Sequence, residues 1–220
     1  MNFTYTDSPI PAAANLLAKT LAPKLTAGQK VLWLLSGGSS LEIAFATERL
    51  LMGLNLSKLS ISLTDERYGP IGHPDENWQM LLESGLSLPG ANLYRRLNGA
   101  QRAQTAEAFN AWLEAELQAT DYKIGIFGMG PDGHTAGIKP HSPAVWSPNL
   151  VADFVADDFE RITITPAAIK KLDAAVVQIS GQNKVEQLNN LLDCDLTLDN
   201  QPAQILKAIP SLTIFSDIKR

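Results

Sequence analysis

The chain has 220 residues, 45% of them hydrophobic and 19% charged, with a formal net charge of -5. That supplies the core of one large domain, and an acidic balance without a Lys/Arg block argues against nucleic acid or an anionic membrane as the main partner. The single cysteine, Cys194, excludes an internal disulfide and a cysteine-based zinc site, and the three histidines, at 73, 134 and 141, do not favour a metal.

Residues 1–5 carry neither a basic start nor an apolar stretch, and no run approaches membrane-spanning length, so the expected setting is soluble and cytoplasmic. The first β-branched, apolar run, 31–35, predicts a buried strand. It ends in Ser36-Gly37-Gly38-Ser39-Ser40, and a helix with an apolar stripe at Leu41, Ala44, Phe45, Leu51 and Met52 follows. Free N–H groups at that helix start suit an oxyanion, although Ser39 with Glu42 also fits a capping box that needs no ligand. A second strand, 59–63, runs into Thr64-Asp65-Glu66-Arg67. Arg67 offers a fork of donors for a phosphate or a developing oxyanion, while an Asp65–Arg67 or Glu66–Arg67 ion pair would explain the same residues as loop stitching. Asn77 opens the next helix as a cap or a polar contact.

Ala103, Ala106, Phe109, Trp112, Leu113 and Leu117 form another helical stripe. The strand at 123–127 then breaks into Gly128-Met-Gly-Pro-Asp-Gly-His134-Thr135. Glycines there permit positive φ and close ligand approach, and they carry Asp132 and His134 outward. Histidine titrates near neutrality, so His134 can serve as base and acid in one turnover. The proline-rich stretch 131–148 reads as a stiffened surface loop, with a wall or lid over a site as the alternative. Strands are predicted at 161–165, 174–179 and 212–215. Between the last two, Gly181-Gln182-Asn183-Lys184 leads into a helix with Val185, Leu188, Leu191 and Leu192. Lys184 in a first helical turn faces the positive end of the dipole, a penalty that a bound anion reverses. Trp33 and Trp112 read as core residues.

Strands apolar on both faces and alternating with helices predict one doubly wound α/β domain over 1–220, with a mostly parallel sheet covered on both sides. Ligands bind such sheets beyond the carboxyl ends of the strands, where the strand order switches. Four polar segments begin at such predicted ends, and this shared position outweighs any one of them.

Those segments, in this order, resemble the 6-phosphogluconolactonases of the glucosamine-6-phosphate isomerase/lactonase superfamily. Gly128-Met-Gly-Pro-Asp-Gly-His-Thr-Ala136 is similar to that family's signature almost letter for letter. Ser36–Ser40, Thr64–Arg67 with Asn77, Arg161-Ile-Thr-Ile-Thr165 and Gly181–Lys184 support it in concert. The resemblance implies a Rossmann-like sugar-phosphate isomerase fold and hydrolysis of 6-phosphoglucono-δ-lactone to 6-phosphogluconate in the oxidative pentose phosphate pathway, without metal or organic cofactor. It implies His134 as general base on water, Asp132 as its orienting carboxylate and Arg67 at the oxyanion. Gly37, Gly38, Ser39, Ser40 and Lys184 would hold the 6-phosphate, with Asp65 and Asn77 completing the binding set around a small sugar-phosphate lactone.

Related deaminases usually place a glutamate just before the proline that ends this motif. Here Lys139 precedes Pro140, and no carboxylate lies between Asp132 and Asp153. Lys139 also departs from the lactonase pattern, where Ser-Leu-Phe commonly replaces Gly137-Ile138-Lys139. The alternatives are therefore a hexosamine-phosphate deaminase/isomerase and a catalytically silent sugar-phosphate sensor. Retention of both Asp132 and His134 counts against the sensor.

Overall fold

Every residue of the runs at 31–35 and 59–63 is buried, so neither run borders water on either side. A computed structural model, which describes residues 1–219 except the Ser39 side chain, shows how that burial is reached. In chain order the elements are β1 (Asn2–Tyr5), α1 (Pro9–Thr26), β2 (Val31–Leu35), α2 (Leu41–Leu51), β3 (Leu59–Leu63), β4 (Asp65–Arg67), α3 (Asn77–Glu83) and β5 (Asn92–Leu93). Then come α4 (Arg102–Ala119), β6 (Tyr122–Gly128), β7 (Val151–Val155), β8 (Glu160–Ile164), α5 (Pro166–Ile169), β9 (Ala174–Ile179), α6 (Val185–Asp193) and β10 (Ser211–Ser216).

Seven strands form one sheet in the order β1-β10-β9-β6-β2-β3-β5, and each pairing in it is parallel. Alternation along β2 divides its side chains between two cores. Val31, Trp33 and Leu35 pack with Leu17 and Leu21 of α1 and with Ile43 of α2. Leu32 and Leu34 pack with Phe109 and Leu113 of α4 and with Leu188 of α6. Both faces are thus covered by helices, which is why β2 is apolar on both sides, while β3 buries Ser60 and Ser62 on one of its faces.

The run at 161–165 departs from expectation. It forms β8, which lies outside the parallel sheet in a three-stranded antiparallel sheet ordered β4-β8-β7, with Asp65 opposite Thr163 and Arg67 opposite Arg161. A short buried strand reads alike in either sheet, and its partner Asp65-Glu66-Arg67 has the composition of a turn. Trp33 is fully buried. Trp112 is only partly buried, stacked on Tyr94 with ring centroids 4.3 Å apart.

The topology also fixes where a ligand can enter. From β2 the chain moves outward through β3 to β5, then returns to the other side of β2 and moves the opposite way through β6, β9 and β10. The order reverses between β2 and β6, and a crevice forms beyond their carboxyl ends. No helix among the described residues is long and apolar enough to cross a membrane.

Candidate active site

Where β2 ends, Ser36 turns inward. Its Oγ donates to the Ile126 carbonyl of β6 at 2.8 Å and lies 2.9 Å from Thr64 Oγ1, just past β3. One hydroxyl therefore ties three strand ends together. A Cβ on Gly37 would lie 2.4 Å from Asn77 Oδ1, and Gly38 has φ +64. Both positions need glycine, which leaves main-chain N–H groups open to a ligand. A 3-10 turn, Gly38–Ser40, leads into α2, and Ser40, just ahead of that helix, makes no side-chain cap. The Ser39 side chain, expected as cap or phosphate ligand, lies outside the described residues.

In β4, neighbouring side chains point to opposite faces, and this separates the three ionisable groups. Glu66 points inward and is 1% exposed. Its carboxylate accepts the N–H groups of Arg67 at 3.0 Å, Asn77 at 2.5 Å and Trp78 at 3.1 Å, anchoring the first turn of α3. Burial pushes its pKa up to about 7, against the opposing charge of Arg96. Arg96 is itself buried, stacked 3.8 Å from the Phe109 ring centroid and donating to the carbonyls of Ile162 and Leu63. Desolvation lowers its pKa to about 10.

Neither stitching ion pair forms. Arg67 meets Asp75 at 3.8 Å and lies over the Phe159 ring at 4.5 Å, while Asp65 meets Arg161 at 3.7 Å. His73 Nε2 donates to the Arg67 carbonyl at 3.0 Å and so pins the backbone that carries the guanidinium. Asn77 is buried and donates from Nδ2 to the Asp65 carbonyl at 3.2 Å.

The loop after β6 is built around the imidazole. A Cβ on Gly130 would lie 2.2 Å from His134 Cε1 and Nδ1, so only glycine lets the ring rest there. Gly130 N–H donates to the His134 carbonyl at 2.9 Å, and Gly133 turns the chain at φ +82. His134 Nδ1 donates to Asp132 Oδ1 at 2.5 Å, and the His134 amide reaches the same oxygen at 3.2 Å. Burial alone would raise the Asp132 pKa. The hydrogen bonds and charge of His134, with Lys139 beyond, outweigh it and hold the carboxyl well below the usual range. Lys139 Nζ stands 3.4 Å from Asp132 Oδ2 and 3.5 Å from Asp158 Oδ2, and Asp158 accepts from Arg161 at 2.7 Å. The loop at 131–148 sends Ile138, Ala144 and Val145 into the core, while its Pro131, Ala136 and Lys139 form a wall of the crevice.

Lys184 ends a 3-10 turn after β9 and immediately precedes α6. It is half-buried, and desolvation lowers its pKa against the pull of Asp217.

These pieces enclose one cleft of about 340 Å³. Gly37, Gly38, Ser40, Asp65, Arg67, Asn77, His134 and Lys184 all line it. Asp132 does not: it stands behind the imidazole and lines an adjoining hollow instead. Arg161 and Asp158 also face the cleft, although neither stood out in the sequence as a site residue. Arg161 is 6% exposed, and its buried Nε has no hydrogen-bond partner. Its signal in the sequence was its place at the head of the Arg161–Thr165 segment, a cation at the start of a predicted strand. An imidazole fixed at Nδ1 by a carboxylate presents Nε2 as a proton acceptor. Open main-chain N–H groups near a half-buried lysine suit an anion. No group of three or more His, Cys, Asp or Glu among the described residues is placed to hold a metal ion.

Comparison with known proteins shows the family and the fold. The family described as glucosamine-6-phosphate isomerases/6-phosphogluconolactonase matches residues 6–214. A 6-phosphogluconolactonase of Synechocystis is 28% identical over 160 residues, 68% of this chain and 67% of that protein. Among solved structures, the 6-phosphogluconolactonase of Thermotoga maritima superposes with a TM-score of 0.83 at 23% identity, covering 98% of both chains. A monomeric glucosamine-6-phosphate deaminase superposes with a TM-score of 0.79 at 18% identity, over 98% of this chain and 97% of the other. The fold is therefore common to both activities, and side chains must separate them.

Proposed function

Because the chain belongs to the glucosamine-6-phosphate isomerase/6-phosphogluconolactonase family, we propose that it hydrolyses 6-phospho-D-glucono-1,5-lactone to 6-phospho-D-gluconate in the cytoplasm, as a step of the oxidative pentose phosphate pathway. The observation that carries this reading is the shared cleft. The His134 imidazole and the Gly37–Gly38 backbone with Lys184 line the same space, as a substrate with an ester at one end and a dianion at the other requires.

The 6-phosphate rests on the N–H groups of the Gly37–Ser40 turn and on Lys184, which places C1 beside His134. A water molecule loses a proton to His134 Nε2 as its oxygen bonds to C1. Asp132, behind the ring, holds the imidazole in that tautomer and stabilises its cationic form. Negative charge moves onto the former carbonyl oxygen, where Arg67 opposes it. The C1–ring-oxygen bond then breaks, and His134 returns its proton to the departing oxygen. The new carboxylic acid ionises and releases one proton per turnover. These steps call on no metal and no organic cofactor.

Sharing a fold with a deaminase keeps amino-sugar chemistry in view. Lys139, however, places an ammonium where that chemistry needs a carboxylate, and it is paired with Asp132 and Asp158. The deciding experiment adds fresh 6-phosphogluconolactone or glucosamine 6-phosphate to the pure protein, with spontaneous ring opening subtracted. Proton release from the lactone without ammonia from the amino sugar is expected. Ammonia release from the amino sugar, or binding of the lactone without turnover, would overturn the proposal.

A further inference from the structure

Asp132 occupies an exposed position for a group with an orienting task. Its side chain is 40% exposed, and it borders a hollow of about 530 Å³ on the side away from the cleft. One oxygen, Oδ1, takes both hydrogen bonds from His134. The other, Oδ2, would meet only water if the Lys139 ammonium were not 3.4 Å away. That ammonium is held from the far side by Asp158 Oδ2 at 3.5 Å, and Asp158 is held by the buried Arg161, whose other arm reaches Asp65. An alternating row of charges thus runs from the imidazole to β4: His134, Asp132, Lys139, Asp158, Arg161, Asp65. A carboxylate free to rotate would swing its plane away from Nδ1 and let the ring turn, and small misplacements of a base are costly.

We propose that Lys139 is a positioning residue of the hydrolytic reaction, clamping Asp132 between His134 and Asp158 so that the imidazole keeps one orientation toward the cleft. The inference rests on the lactonase reading above. A cation here has a second consequence. Lys139 borders both the cleft and the hollow behind it, so its stem stands between the two.

Three variants test the proposal by steady-state kinetics with the phosphorylated lactone. Lys139→Met keeps the length and removes the charge, Lys139→Arg restores a cation able to bridge two carboxylates, and His134→Ala removes the base. Lys139→Met should lower kcat roughly 10- to 100-fold with KM within about 2-fold, as for loss of a group that orients a functional side chain. Lys139→Arg should recover most of that loss. Wild-type kcat in Lys139→Met, a loss confined to KM, or equal damage in Lys139→Arg would overturn the positioning role. If Lys139→Met fails to fold by its melting curve, Lys139→Gln takes its place with the same expectation. Full activity in His134→Ala would instead defeat the lactonase mechanism itself. An inactive His134→Ala beside a fully active Lys139→Met defeats only the clamp.

Discussion

Two short segments at the ends of parallel strands, 64–67 after β3 and 128–135 after β6, place five ionisable groups in or behind this crevice, yet they spend them differently. In the first, Glu66 is turned inward and used up on three backbone N–H groups, while the flanking Asp65 and Arg67 face the cleft. In the second, glycines with no side chains let His134 stand in the cleft with its carboxylate partner behind it. One segment uses charge to fix a helix and a strand, the other to poise a proton. The difference is one of burial and facing rather than residue type. It predicts that damage to the second segment is kinetic, and damage at Glu66 thermodynamic.

The largest effect belongs to His134→Ala. A fall in kcat of about 10²–10⁴-fold is expected, the usual worth of a positioned acid–base group, with the melting temperature nearly unchanged. Unaltered kcat would remove the imidazole from the chemistry. Gly130→Ala sharpens the same point without touching a polar atom. Its new Cβ would lie 2.2 Å from the ring, so His134 must move, and a kcat loss of roughly 10²-fold is expected from misplacement alone. A Gly130→Ala enzyme with normal turnover would show that ring placement is loose.

Lys184→Ala probes the other end of the cleft. Loss of a charge-assisted phosphate contact should raise KM roughly 10- to 100-fold while leaving kcat close to wild type, because the contact is equal in ground and transition states. A drop confined to kcat would move Lys184 to the reacting end. The smallest expected kinetic effect lies at Glu66, where stability should carry the change. Its folded-state pKa, raised to about 7 by burial, exceeds the ordinary 4.5. Its contribution to stability is therefore full below pH 4.5 and is lost as pH climbs through 7, by a few kcal/mol at most and about 1.4 kcal/mol per pH unit. Denaturant unfolding from pH 4.5 to 8 should show that descending component in the wild type and lack it in Glu66→Gln. Identical slopes in the two proteins would refute the assignment.

Much of this was legible beforehand because the parallel strands are short, largely apolar runs, and because polar breaks, three of them marked by glycine, follow β2, β3, β6 and β9. The boundaries of β2, β3 and β9 fell as expected for that reason. The antiparallel sheet was not legible. Asp65-Glu66-Arg67 has the composition of a turn and becomes a strand only by pairing with β8, a contact almost a hundred residues away. Helix α1 escaped notice because it carries prolines at its start and Pro23 near its end. Edge strands β1 and β5 are four and two residues long, too short for a pattern. At the site, the sequence pointed to the cleft residues and to Asp132 as the carboxylate partner of His134, but not to the separate hollow that Asp132 lines. It also gave no sign of Asp158, whose role depends on where Lys139 and Arg161 meet in space.

The account stands or falls on how one molecule lies in the cleft, and a crystal structure with 6-phosphogluconate bound would show it. The phosphate is expected on the Gly37–Ser40 backbone and Lys184, with the C1 carboxylate beside His134 Nε2 and Arg67. A reversed molecule, with phosphate against His134, or one bound outside this cleft, would contradict it.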